Sequence, residues 1–90
     1  MKIGILGRQP AMMQRALALA ATAGHEAIGE LSDAAMARHL EGGAVRALVI
    51  GGGVESASRG AMRALAATHG VRVLEPTGPD QLPRLLAALR

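Results

Sequence analysis

Short apolar runs alternate along this chain with longer stretches whose apolar residues recur every three or four positions. That alternation predicts four β–α units. Met1 to Leu6, MKIGIL, reads as a first strand, and Gly7-Arg8-Gln9-Pro10 as a turn with Pro10 suited to the start of a helix. From Ala11 to Ala23 the spacing of Met12, Ala16, Leu19 and Ala23 predicts a helix with those residues inward and Gln14, Arg15, Ala18 and Thr22 on the polar side. Gly24 is its expected stop. His25 to Leu31 reads as a second strand, weakened by Gly29. Ser32 is placed to cap a helix from Asp33 to about Glu41, ended by Gly42-Gly43.

Val45 to Ser56, VRALVIGGGVES, organises the rest. Its apolar run suits a strand buried on both faces of a parallel sheet, and three glycines turn the chain toward a helix that Ser56 could cap. That helix is expected to reach His69, with Ser58, Met62, Leu65 and His69 on one stripe and Gly70 as stop. Val71 to Leu74 is a fourth strand, and Pro76, Gly78 and Pro79 form the next loop. A last helix follows, capped by Asp80 or Gly78, with Pro83 in its first turn and Leu82, Leu85, Leu86 and Leu89 inward. Short connections and right-handed crossovers then give an α/β fold. We expect a three-layer αβα sandwich around a four-stranded parallel sheet of order 2-1-3-4, with its switch point between strands one and three.

Composition narrows the possibilities. The 90 residues suit one domain, 1–90, and the core must be built without Phe, Tyr or Trp. Helices faced with alanine pack closely on a partner, so a homo-oligomer is expected, a homodimer first. The net charge of +3 comes from ten scattered basic residues, without the basic stripe and stacking aromatics that nucleic-acid binding uses. There is no Cys, so thiol chemistry and thiolate metal sites are excluded. No apolar run approaches the length of a membrane span, and MKIGILG is too short for a signal segment. A cytoplasmic protein is the default expectation.

Ligands of open α/β sheets bind beyond the carboxyl ends of the strands, which sorts the polar residues by edge. Five of the seven acids (Glu30, Asp33, Glu55, Glu75 and Asp80) fall on that edge, which is therefore expected to be acidic. His25, His39 and His69 fall on the opposite edge, against histidine-based catalysis or metal binding. Asp33, Glu55 and Asp80 have an alternative purpose, since acids at helix N-termini stabilise the helix dipole.

From Lys2 to Glu30 the chain resembles the first βαβ unit of the Rossmann NAD(P)-binding domain family. The likeness rests on the K-I-G-I-L-G strand, the Ala- and Leu-rich helix, A-G-H-E and the acid at the end of strand two. The resemblance implies that Glu30, 23 positions after Gly7, would meet a ribose, and that NAD(P) or another nucleotide would lie on the first turn. The G-x-G-x-x-G fingerprint is degenerate: Gly7 is kept, but Gln9 and Met12 replace the other glycines. Gln9 would then stand where phosphate lies, and Met12 would push the helix outward. Arg8 could pair with a phosphate or simply be solvated.

The second glycine turn, Gly51-Gly52-Gly53 with Ser56, offers another anion site, or merely a tight turn from strand to helix. No G-K-[ST] follows it, so it is not a Walker A loop. A receiver domain of the same architecture needs acids where Gly7-Arg8 and Gly51-Gly52 stand. The expected function is a binding module for a nucleotide or phosphate-bearing small molecule at Gly7, Arg8, Gln9, Glu30, Gly51, Gly52, Gly53 and Ser56, without dehydrogenase catalysis. The alternative is a non-enzymatic, self-associating scaffold.

Overall fold

The computed structural model describes every residue except 78, 79 and 90. The chain runs β1(Lys2–Leu6), α1(Pro10–Thr22), β2(Glu26–Glu30), α2(Asp33–Glu41), β3(Ala47–Ile50), α3(Ser56–Thr68), β4(Arg72–Leu74) and α4(Gln81–Ala88). All strand pairs are parallel and the order is β2-β1-β3-β4. β2 and β4 are the sheet edges. β1 is paired along its whole length with β2, from Lys2 opposite Glu26 to Leu6 opposite Glu30. Gly29 therefore does not interrupt the ladder.

Alternation of side chains across β1 divides the core into two layers. Ile3 and Ile5 join Met13, Ala20, Val49, Leu74, Leu86 and Leu89 on the face covered by α1 and α4. Leu6 joins Met36, Leu40, Leu48, Ile50, Met62 and Ala66 on the face covered by α2 and α3. No polar or charged residue is buried among those described. With no aromatic ring to bridge the gap, the layers come together by placing methionine over glycine. A Cβ at Gly29 would lie 2.5 Å from Met13 Sδ, and one at Gly4 would lie 2.8 Å from Met36 Sδ.

This packing corrects the expected orientation of α1. The inward residues are Met13 and Ala20, with Ala16 and Leu17 beside them, whereas Met12 is 51% and Leu19 37% exposed. The helix is rotated by about one residue because both stripes are apolar, so periodicity could not choose between them. Gly29 decides it by opening a slot for Met13. Met12 consequently does not press on the sheet or push α1 outward.

The expected helix ends are otherwise met. Gly24 and Gly70, at φ 86° and 67°, take the left-handed conformation just beyond α1 and α3, where a side chain would be strained. Ser32 caps α2, its hydroxyl accepting from the Ala35 N–H at 3.1 Å. Pro10 occupies the start of α1. Asp80 is the N-cap residue of α4 but makes no side-chain capping bond. The alternative cap Gly78 and the loop residue Pro79 lie outside the described residues. On α3 the buried positions are Met62 and Ala66 with Leu65 alongside, while His69 ends the helix exposed.

Gly29→Ala should lower stability by about 1–3 kcal/mol, since Met13 Sδ, Met13 Cγ and a Leu17 methyl all lie within 3.3 Å of the added carbon. Pairing it with Met13→Ala should make the loss less than the sum of the two single changes. Thermal or denaturant unfolding of the four proteins checks this; strict additivity would mean the residues do not compete for one space.

Candidate functional site

The carboxyl ends of β2, β1 and β3 are bound into one row by backbone hydrogen bonds. Gly7 N–H donates to Glu30 C=O at 3.1 Å, and Gly51 N–H donates to Leu6 C=O at 2.8 Å. Against this row lies a cleft of about 850 Å³. Gly7, Gln9 and Gly51 to Gly53 form its floor, Met12 and Leu19 one wall, and Thr77 and Leu82 the other. This is the switch point between β1 and β3, and the volume lies within the roughly 300–1,000 Å³ of ordinary ligand sites.

The three glycines that follow β3 are not alike. A Cβ at Gly51 would meet Leu6 O at 3.2 Å, so this glycine serves the turn itself. At Gly52 a Cβ would meet nothing within 4 Å, and at Gly53 only Arg8 Cβ at 4.0 Å. Neither takes a positive φ. The chain's own packing therefore explains Gly51, but it does not require glycine at 52 or 53.

Arg8 is neither solvated nor turned into the cleft. Its Nη1 donates to Leu31 C=O at 2.7 Å and its Nη2 to Asp33 Oδ1 at 2.7 Å. Nε and Nη2 together grip both oxygens of Glu55 at 3.0 and 3.1 Å. One guanidinium thus clasps the loops after β1, β2 and β3, using all of its nitrogens. The contacts with Glu55 and Asp33 hold the guanidinium more firmly charged than usual. Ser58 and then Arg8 hold the Asp33 carboxyl below its ordinary 3.8, and Arg8 holds Glu55 below its ordinary 4.5. Ser58 Oγ also lies 3.4 Å from Glu55 Oε2. Glu55, not Ser56, is the N-cap residue of α3, and Ser56 is the exposed first residue of the helix. The cap thus falls one position earlier than expected, on a residue whose carboxylate is held by Arg8 and makes no capping bond.

A second clasp sits beside the cleft. Arg59 Nη2 donates to Gly51 C=O at 2.7 Å and Val54 C=O at 3.3 Å, while Nη1 donates to Glu75 Oε1 at 3.0 Å. Arg63 Nε lies 3.0 Å from the other Glu75 oxygen. The Arg59 contact comes first among the causes that hold Glu75 below its ordinary range. Sequence reasoning missed Arg59; the available signal was an arginine in the first turns of the helix facing an acid at the end of the adjacent strand.

Glu30 does not reach the cleft floor. It shares the face of Leu6, the α2 face, and its Oε2 lies 2.8 Å from His39 Nε2. It borders a separate, more open hollow of about 530 Å³ with Pro10, Gln14 and Ser32. His39 is thus not stranded on the far rim, because its side chain turns toward the end of β2. His25 does stand at the amino end of β2, its Nε2 2.8 Å from Leu86 C=O. The expected acidic rim is also corrected: Glu30, Asp33, Glu55 and Glu75 each have a cationic or imidazole partner.

No protein-family model matches the chain, and no relative is found among curated proteins. Among solved structures, a Burkholderia pseudomallei protein provisionally named as pilus assembly-related is similar in fold, with TM-score 0.70 and 20% identity. The match covers 97% of this chain and 69% of that one. At that identity the likeness is one of fold. Among the described residues no helix is long and apolar enough to cross a membrane.

The lowered carboxyl groups of Asp33 and Glu55 contribute stability that is present above their unfolded values and lost as pH falls through their folded ones. Arg8→Met should therefore lower Tm at pH 7, and the gap to the unaltered protein should close on acidification below about pH 4. Thermal melts from pH 7 to pH 3 measure this; an unchanged gap at pH 3 would show that the ion pairs do not carry the effect.

Proposed function

We propose that this chain is a small binding module of Rossmann-like descent, taking a nucleotide or related phosphate-bearing small molecule in the cleft between the Gly7–Pro10 and Gly51–Ser56 turns. The observation that carries the reading is the open space above Gly52 and Gly53, at a switch point, with no internal packing that needs glycine there. Glycine lets a ligand approach backbone N–H groups, and those of Gly52 and Gly53 have no backbone acceptor among the described residues. Of the residues predicted for the site, Gly7, Gln9 and Gly51 to Gly53 border the cleft, with Arg8 bordering it by its stem. Glu30 and Ser56 are not assigned to it. A cytoplasmic location belongs to the same proposal.

Titration with NAD(H), NADP(H), AMP, ATP and cyclic nucleotides, followed through backbone amide shifts, should move Gly7 and Gly51 to Gly53 saturably. Silence at millimolar ligand would remove the reading. Gly52→Ala should leave stability unchanged or raise it by up to about 1 kcal/mol while weakening binding several-fold. If affinity survives that change, the ligand does not sit on this turn.

A second reading, a self-associating scaffold, is favoured by Gly60. It lies exposed inside α3 with nothing within 4 Å of a Cβ, although glycine there weakens the helix by roughly 0.5–1 kcal/mol relative to alanine. Close approach of a second copy would account for it. The assembly-related name of the similar structure is compatible with such a role. Light scattering at two concentrations should show a dimer that Gly60→Leu disperses; a monomer throughout would count against it.

A further inference from the structure

The charges around the cleft restrict its ligand more narrowly than the fold does. Every nitrogen of Arg8 is taken by Leu31, Asp33 and Glu55. Both terminal nitrogens of Arg59 are taken by Gly51, Val54 and Glu75. Among the described residues the cleft's remaining cation is Arg15, which is exposed on the α1 wall and has no ion pair with any of them. A chain of phosphates would bring several charges to a place with one unengaged guanidinium and a few amides.

Apart from Gln9 and Thr77, the rest of the lining is mostly apolar. Met12 and Leu19 stand exposed along one wall with Leu82 across from them, so an apolar body entering between them removes their surface from water. Thioether side chains such as those of Met12 and Met13 pack well against aromatic rings.

Resting on the cleft reading above, we infer that the ligand is an aromatic, ring-bodied small molecule with a single anionic group, and not a dinucleotide or polyphosphate. The ring lies between Met12, Leu19 and Leu82, and the anionic group meets the Gly52 and Gly53 amides and Arg15. Pro10, which removes an N–H at the start of α1, and Gln9, a side chain on the cleft lining where the fingerprint has glycine, fit this division, since a pyrophosphate would need both places.

Calorimetric titration with adenosine, AMP, ATP and NAD on the intact chain tests the inference. AMP should bind at least as tightly as adenosine, and ATP and NAD should gain nothing over AMP. Arg15→Gln should weaken AMP about tenfold and leave adenosine unchanged, whereas Met12→Glu should weaken both. Both residues are exposed, and circular dichroism would verify that the variants remain folded. ATP or NAD binding tenfold tighter than AMP would overturn this inference and leave the cleft reading standing. Failure of all four to bind at millimolar concentration would overturn both.

Discussion

Backbone hydrogen bonding along both sides of β1 is the constraint on which the molecule depends. Because β1 is in parallel register with β2 and β3, the turns that follow these strands are delivered to one edge, side by side. Arg8 reaches Leu31, Asp33 and Glu55 only because the chain has been aligned in this way. A slip of one residue in either pairing would exchange the two faces of a strand, sending Leu6 to the α1 side and Ile5 to the α2 side. Cleft, clasp and core therefore have a common origin.

The fold could be read from the sequence because its signals are local and agree with one another. Apolar runs, glycine stops, the Ser32 cap and Pro10 each name an element or its end, and short connections leave few topologies. The facing of α1 could not be read in the same way. Met12 and Met13 are equally apolar, and the choice between them is made by Gly29, which is distant in the chain and adjacent only after folding. What looked in isolation like a weak point of the second strand is the place where the helix settles.

The candidate site was legible in position but not in electrostatics. Strand order fixed the edge, and with it the glycine turns, from pattern alone. Pairing could not be foreseen, since charged side chains are long and their partners lie 47 positions apart for Arg8 and Glu55 or 16 for Arg59 and Glu75. Counting acids on an edge gave a charge without its counterions. Glu30 shows the same limit: its place at the end of β2 was right, but the alternation of the strand turns it to α2 and His39.

The borders of the sheet carry a consequence of their own. β4 is three residues long, and β2 begins and ends in glutamate with a glycine between. Brief or charge-bearing border strands are poor templates for another chain to add to. The ladder thus offers little at either margin for a further strand to extend.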